Sequence, residues 1–197
     1  SRGERALPDK AVLLTFDDGL RSVYTHAFPL LRAYGYPALV AVVTDWVELP
    51  AGRQVDYGPR MFTHDDFLTW AQLREMQATG LVEVASHSHD LHHGVQSNPQ
   101  GNMTPAAITR RYDATARRYE TEAEYRARIR ADLEASADTL QRELGERPRA
   151  IVWPYAAYNS VSNGIAETLG MSVSFDLEGR EQKVGRDLHG LARLLLS

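Results

Sequence analysis

Short apolar runs alternate with segments of helical periodicity along most of this chain, and that alternation limits the fold more than any other feature. Buried strands are predicted at residues 11–15, 38–43, 81–85, 150–153 and 171–175. Helical spacing of apolar residues predicts helices at 21–34, from an N-cap at Thr63 to about Gly80, at 121–144 and at 159–169. Residues 93–105 are typical of a loop. Strands that alternate with helices form parallel βαβ units, which predicts a doubly wound sheet or a barrel.

The polar residues best suited to catalysis or metal binding lie where predicted strands end. Asp17 and Asp18 come after the first strand, His87 follows the third, and a Trp-Pro-Tyr segment at 153–155 closes the fourth. In parallel α/β folds, functional groups collect at the C-terminal ends of the strands. We therefore expect these side chains to lie on one rim of the sheet.

Composition narrows the function classes. The chain has 197 residues, enough for one sizeable domain, which we expect to span residues 1–197. It contains no cysteine, which excludes disulfides, thiol nucleophiles and cysteine-based zinc sites. A formal net charge of −4 argues against a nucleic-acid partner bound through phosphate contacts. No apolar run is long enough for a membrane span, and the N-terminus lacks the apolar core of a signal peptide.

Four of the seven histidines lie close together, at positions 87, 89, 92 and 93. Two neutral imidazoles and a carboxylate are a common ligand set for a divalent metal, and they leave coordination positions open. The adjacent carboxylates of Asp17 and Asp18 repel each other unless a cation or a proton relieves them. A metal held by one of them and two histidines would provide that relief and leave the other carboxylate as a base. A solvated histidine-rich loop and an ordinary Asp-Asp-Gly turn are the alternative interpretations.

Two motifs together are more specific than either alone. Thr-Phe-Asp-Asp-Gly at 15–19, followed later by Ser-His-Ser at 86–88, resembles the polysaccharide deacetylase family, also known as carbohydrate esterase family 4 or NodB-type deacetylases. The resemblance implies a distorted (β/α) barrel with seven or fewer parallel strands, circularly permuted or truncated. It also implies that Asp17 is the general base and that Asp18 and His87 bind the metal.

The second histidine ligand indicates a branch of this family. The usual position, four residues after His87, is occupied by Leu91. A branch that acts on poly-β-1,6-N-acetyl-D-glucosamine spaces its pair by five residues, and that spacing corresponds to His92. The resemblance to this branch covers roughly residues 11–177, so it implies the ligand set Asp18, His87 and His92.

The third motif of that branch reads Trp-Pro-Tyr and matches Trp153, Pro154 and Tyr155, which the resemblance assigns to substrate binding. The resemblance also implies that the backbone N–H of Tyr155 stabilises an oxyanion. Two positions depart from the wider family. Val152 stands where an arginine orients the catalytic base, and Ala156 replaces a glycine.

The general acid of the family, a histidine in its last motif, has no clear match here. His189 is the candidate in this chain, and a surface histidine in a loop is the alternative interpretation. In the poly-N-acetylglucosamine branch the order of elements is permuted and this histidine lies near the N-terminus. We therefore expect the acid to lie in a segment outside this chain, which would then be part of a longer protein.

The resemblance implies a hydrolase that removes acetyl groups from a biofilm exopolysaccharide with the help of a divalent metal. Two nitrogen ligands and one oxygen ligand suit Zn²⁺, and they also suit Co²⁺ or Ni²⁺. The same resemblance implies a periplasmic or outer-membrane-associated protein with a glycoside-hydrolase-like domain C-terminal to this chain.

Two other functions stay open from the sequence. Deacetylation of chitin or peptidoglycan lies within the family, although the five-residue histidine spacing argues against it. A non-catalytic glycan-binding domain that retains the metal would account for the missing arginine and general acid. The presence of both Asp17 and Asp18 argues against it, because binding a sugar needs neither. Trp46, Tyr57 and Tyr158 are candidates to line a sugar groove, and core packing or loop anchoring is the alternative for the first two.

Overall fold

A computed structural model of the protein describes residues 11–58, 60–177 and 188–195. Its strands are β1 (Leu14–Phe16), β2 (Ala38–Val42), β3 (Val55–Asp56), β4 (Met61–Phe62), β5 (Val82–Ser86), β6 (Gly94–Gln96), β7 (Met103–Pro105), β8 (Tyr112–Asp113), β9 (Arg118–Tyr119), β10 (Ala150–Val152) and β11 (Val173–Phe175). Its α-helices are α1 (Phe28–Tyr34), α2 (Thr44–Val47), α3 (Trp70–Ala78), α4 (Glu122–Leu144) and α5 (Ser160–Thr168). A π-helical turn at Val23–Ala27 leads into α1, and 3₁₀ turns lie at His64–Asp66 and Pro154–Ala156.

Five strands form one parallel sheet in the order β1-β2-β5-β10-β11. Every residue of β2 is buried, as expected for a central strand covered on both faces. The sheet curls into a half-barrel, which confirms the predicted distorted (β/α) barrel and excludes the doubly wound alternative. Beyond β11, Leu191 pairs in parallel with Phe175, while Arg193 reaches Thr15 at the opposite edge of the sheet. The segment 188–195 therefore contacts both edges of the half-barrel.

The longest helix, α4, has the boundaries that its sequence signals predict. Thr121 and Glu124 form a reciprocal capping box at its start, and Gly145 ends it in a left-handed conformation. One face of the helix is apolar and buried, and it packs against the sheet and α5. Asn159 caps α5 in the same way, which confirms the helix predicted at 159–169. Among the described helices, none combines the length and the apolar character that crossing a bilayer requires.

The second predicted helix, expected from Thr63 to about Gly80, begins later than expected. Thr63 caps only a 3₁₀ turn, and α3 starts after a second capping box at Thr69. Tertiary pairing overrides the first cap, because the Leu68 N–H donates to the Gly19 carbonyl at 2.8 Å and Phe67 bridges Leu20. These contacts hold the chain extended between the two caps.

The loop predicted at 93–105 is wrong in part. Strands β6 and β7 pair there as a short antiparallel hairpin, and β8 and β9 form another before α4. The side chain of Asn98 closes the first hairpin turn by accepting the N–H groups of Gln100 and Asn102, both at 3.1 Å. Strands this short have no clear alternation, which is why the pattern indicated a loop.

Candidate metal centre and active site

Asp18, His87 and His92 converge at the C-terminal ends of β1 and β5. The Asp18 Oδ1 atom lies 3.2 Å from Nε2 of His87 and 3.2 Å from Nε2 of His92. One ligand atom from each residue lies within 4.8 Å of the others. Asp18 Oδ1 is also buried without a hydrogen-bond partner in the described part of the chain. An electron-rich oxygen left in this position between two imidazole nitrogens fits a divalent cation.

The charge state of Asp18 suits a metal ligand. Burial alone would raise the pKa of this carboxyl, but the side chains of His87, His92 and Tyr57 that face it hold the pKa well below its usual range. The residue has a left-handed backbone, with φ of 69°. Gly19 follows with φ of 74°, and a Cβ there would come within 3.0 Å of Val42. The tight turn after β1 therefore depends on glycine at this position.

His87 is oriented by bonds at both its backbone and its ring. Its N–H donates to the Val42 carbonyl at 2.9 Å, and its ring Nδ1 lies 2.6 Å from the Val152 carbonyl. In a neutral imidazole, a hydrogen bond from Nδ1–H to a carbonyl selects the tautomer whose Nε2 lone pair is available to a metal. The side chain is 2% exposed, so its orientation is fixed by packing as well.

The loop between the two histidines is held by α4. The carboxylate of Asp132 accepts the N–H of His89 at 2.9 Å and that of Asp90 at 2.8 Å. Burial raises the pKa of Asp132, and these two backbone bonds partly offset that effect. Ser88, with φ of 73°, accepts the Leu91 N–H through its hydroxyl at 3.0 Å. These bonds fix the turn that brings residue 92 back beside residue 87.

His92 lies between two aromatic side chains. Its ring centroid is 4.8 Å from that of Trp46 and 4.4 Å from that of Tyr155. Tyr155 also donates its hydroxyl to the His92 carbonyl at 3.1 Å. The other two histidines near this loop lie outside the cluster, since His89 Nδ1 bonds the Thr44 hydroxyl and His93 faces Asp90.

Asp17 has a different partner from its neighbour. Both of its carboxylate oxygens are paired with Arg193, with Nη1 to Oδ1 at 2.7 Å and Nη2 to Oδ2 at 2.8 Å. Arg193 also donates to the Thr15 hydroxyl at 3.1 Å and to the Asp176 carbonyl at 3.1 Å. The Arg193 side chain is 9% exposed and the Asp17 side chain 27% exposed. The arginine missing at Val152 is thus replaced by one from the far end of the chain.

Tyr57 donates its hydroxyl to the second oxygen of Asp18, Oδ2. Burial, together with the hydrogen bond to Asp18, raises the pKa of Tyr57 well above its usual value. Its ring stacks on Phe62, with centroids 4.3 Å apart, and meets the edge of Trp46 at 5.9 Å. Trp46 itself is only 5% exposed and belongs to an apolar cluster. The sequence left both residues between groove and core, and the structure makes Trp46 a core residue and Tyr57 a partner of Asp18.

The Trp-Pro-Tyr segment divides between core and surface. Trp153 is 1% exposed and donates its indole N–H to Asn163 at 3.3 Å, and Pro154 is also buried. These two predicted substrate-binding side chains are therefore enclosed. Of the three, Tyr155 alone reaches solvent, at 53% exposure. Tyr155 and Ala156 have φ of 57° and 53°, so the turn here is left-handed without glycine.

Two other predicted residues lie away from the cluster. His189 Nε2 lies 3.8 Å from Glu167 Oε1, so its ring faces α5. Tyr158 stacks on the buried Trp153, with centroids 6.3 Å apart.

Comparison with known proteins agrees with this geometry. A family model described as polysaccharide deacetylase matches residues 4–174. The poly-β-1,6-N-acetyl-D-glucosamine N-deacetylase of Escherichia coli (strain K12) is 42% identical over 177 residues, which are 90% of this chain and 26% of that protein. The chain thus spans about a quarter of the length of this curated relative.

Solved structures give the same result. The BpsB deacetylase domain from Bordetella bronchiseptica has a TM-score of 0.92 at 48% identity, covering 98% of this chain and 74% of that one. A de-N-acetylase from Aggregatibacter actinomycetemcomitans has a TM-score of 0.91 at 40% identity, covering 99% and 73%. These matches confirm the resemblance carried by the Thr-Phe-Asp-Asp-Gly and Ser-His-Ser motifs. The chain belongs to the polysaccharide deacetylase family.

Proposed function

We propose that this chain catalyses metal-dependent N-deacetylation of poly-β-1,6-N-acetyl-D-glucosamine, hydrolysing acetamide groups to acetate and free amines. One observation carries the proposal: Asp18 of the Asp18–His87–His92 cluster is preceded in sequence by a second carboxylate, Asp17, that is held by an arginine. The relatives indicate the substrate, because proteins similar over most of this chain are poly-β-1,6-N-acetyl-D-glucosamine N-deacetylases.

The metal would be held by Asp18 Oδ1 and by Nε2 of His87 and His92. Two nitrogens and one oxygen suit Zn²⁺, which we propose as the native ion, and Co²⁺ or Ni²⁺ would fit the same ligands. When bound, such an ion supplies Lewis-acid polarisation of the acetamide carbonyl and lowers the pKa of water. The Asp18 oxygen between the two imidazoles, buried with no hydrogen-bond partner in the part of the chain that the structure describes, supports this assignment.

Asp17 would act as the general base. It is adjacent to the ligand Asp18 in sequence, yet its two oxygens are paired with Arg193 rather than with the histidines. The two-bond pairing with the arginine fixes the orientation of the carboxylate, while part of the side chain stays open to solvent. In this role Asp17 takes the proton of the attacking water, a contribution of ~10²–10⁴-fold.

The developing oxyanion would be stabilised by the backbone N–H of Tyr155. This residue stands in the first turn of a 3₁₀ helix, where N–H groups have no partner within the helix. The proton for the leaving amine has no assigned donor among these residues. His189 stays a prediction for that role, and its ring Nε2 lies 3.8 Å from Glu167 on α5.

We further propose a periplasmic or outer-membrane-associated location, because the polymer named for the relatives is an exopolysaccharide. Residues 1–197 would form a single deacetylase domain, and a C-terminal glycoside-hydrolase-like domain would follow in the longer protein. The greater length of the curated relatives supports this last proposal.

The experiment that tests the function is release of free amines from β-1,6-linked N-acetylglucosamine oligomers. Protein stripped of metal is assayed alone and with Zn²⁺, Co²⁺ or Ni²⁺ added back, with chitin oligomers and peptidoglycan as competing substrates. We expect release only with metal and mainly from the β-1,6-linked oligomers. Preferential release from chitin or peptidoglycan would change the substrate and keep the reaction.

Asp17→Asn is the matched variant for the chemistry. It should bind the metal as the wild type does and lose ~10²-fold or more of its turnover, because an amide cannot accept the proton. An active Asp17→Asn protein would contradict the assignment of the base. A wild-type protein that binds metal and glycan without releasing amine would be a glycan-binding domain instead.

A further inference from the structure

The two oxygens of Asp18 have different surroundings. Oδ1 faces the histidine nitrogens of the cluster, at 3.2 Å from each, and has no hydrogen-bond partner among the described residues. Oδ2 accepts the hydroxyl of Tyr57. A cation bound between Oδ1 and the histidines would therefore find the second oxygen already engaged by a phenol.

Tyr57 is held by contacts with its own hairpin and with neighbouring aromatic rings, in addition to its bond to Asp18. Strands β3 and β4 pair around it, and its N–H donates to the Arg60 carbonyl at 3.3 Å. Its ring is packed against Phe62 and Trp46. Arg60 covers the other ring of this stack, 4.1 Å from the Phe62 centroid, and pairs with Asp66 at 2.7 Å. The aromatic stack thus holds the Tyr57 hydroxyl beside the Asp18 carboxylate.

We infer that Tyr57 is a positioning residue of the metal centre, which holds Asp18 so that only Oδ1 is offered to the cation. The inference rests on the proposed function, since it assumes that the Asp18–His87–His92 cluster binds a metal. Without the phenol, the carboxylate would be free to turn and to ligate through both oxygens. That change would alter the number of oxygen atoms that the cluster offers to a cation.

This role differs from simple packing in a way that can be measured. Outer partners of metal ligands fix ligand orientation, and removing them typically lowers metal affinity or activity by ~10–100-fold. A phenylalanine at position 57 keeps the ring stack with Phe62 and Trp46 and removes only the hydroxyl. If Tyr57 only anchored the hairpin, this change would leave metal binding unaltered.

The test is Tyr57→Phe, measured by metal binding alone. Zn²⁺ affinity is determined by competition with a chromophoric chelator, and the visible absorption of the Co²⁺-loaded protein reports the number of ligand atoms. Tyr24→Phe is the matched control, because it also removes a hydroxyl that donates to a carboxylate. The Tyr24 hydroxyl donates to Glu75 on α3 at 2.5 Å, and neither residue belongs to the cluster. Unfolding of the metal-free proteins checks that all three are folded.

We expect Tyr57→Phe to bind Zn²⁺ ~10–100-fold more weakly and to change the Co²⁺ spectrum, while Tyr24→Phe matches the wild type. Equal affinity with an unchanged spectrum would overturn the inference and leave the proposed function intact. A loss of affinity shared by Tyr24→Phe would overturn it too, since that would be general destabilisation. Failure of the wild type to bind any metal would remove the metal centre and the inference together.

Discussion

The turns at the two ends of the central sheet place different residue types in the left-handed conformation. Where helices lead into strands, the left-handed positions are glycines, namely Gly35, Gly80, Gly145 and Gly170. Where strands lead towards helices, residues with side chains adopt the same conformation, namely Asp18, Ser88, Tyr155 and Ala156. Gly19 also has positive φ at this second end, directly after Asp18.

This difference shows where the sequence accepts backbone strain. A left-handed conformation costs an L-residue with a Cβ roughly 1–2 kcal/mol, and glycine avoids that cost. At the helix-to-strand end, a Cβ at each of the four glycines would meet none of the described residues within 4 Å. At the other end, Asp18 faces the histidine cluster and the Ser88 hydroxyl bonds the loop between the histidines. Left-handed backbone strain therefore occurs at Asp18 and Ser88, whose side chains have a role in the candidate metal centre.

The largest expected effect comes from Asp18→Asn, which tests the role of the carboxylate apart from that of the left-handed backbone. Asparagine tolerates the left-handed region as aspartate does, so Asp18→Asn keeps the backbone and removes the anionic ligand. We expect Zn²⁺ affinity to fall by more than ~100-fold, the upper end for losing a mere outer partner. Calorimetric titration with Zn²⁺ measures this. Retained affinity would mean that the left-handed aspartate serves the backbone and not a metal.

The next effect concerns the other aspartate of the active end. Arg193→Lys cannot bond both oxygens of Asp17, so the base loses its fixed orientation. We expect turnover in the amine-release assay to fall by up to ~10²-fold while Zn²⁺ affinity stays at the wild-type value.

Arg149→Lys is the control for this change at the opposite end of the sheet. Arg149 pairs with both oxygens of Glu83 at 2.7 Å, in the same two-bond manner. Its replacement should leave turnover unchanged. Equal losses in the two variants would mean that Arg193 acts only through stability.

The fold was largely predictable because its signals are local. The capping box at Thr121 and the terminal Gly145 define α4, and apolar runs define the sheet strands. The site was partly predictable, because the positions of Asp17, Asp18, His87 and His92 follow motif spacing. Their convergence is then a consequence of parallel strands ending at one rim.

The parts that could not be predicted depend on contacts between distant segments. Arg193 meets Asp17 only because residues 188–195 run beside β11 and reach the β1 edge. Tyr57 meets Asp18 through a hairpin of two-residue strands, which has no periodicity to detect. The late start of α3 has the same origin, since Leu68 is held extended by Gly19.

At the helix-to-strand end, Gly145→Ala should act on stability alone. The new Cβ meets open space but forces alanine into φ of 83°, so we expect a loss of about 1–2 kcal/mol in unfolding free energy and no change in Zn²⁺ affinity. Urea unfolding measures the loss. Gly164→Ala in α5 is the control, because it also meets open space but lacks positive φ, and should stabilise by up to about 1 kcal/mol. A stabilising Gly145→Ala would contradict the strain argument.

The smallest expected effect has the opposite sign and lies at the active end. Ala156→Gly relieves a left-handed alanine at φ of 53°, worth roughly 1–2 kcal/mol, but adds about 0.4–1 kcal/mol of unfolded-chain entropy. The net gain in unfolding free energy should lie between about 0 and 1.6 kcal/mol, measured in urea beside Gly145→Ala. A loss instead would mean that packing of the alanine methyl outweighs the strain. Because Ala156 follows the exposed Tyr155, a gain would show that this turn keeps strain that glycine removes at the other end of the sheet.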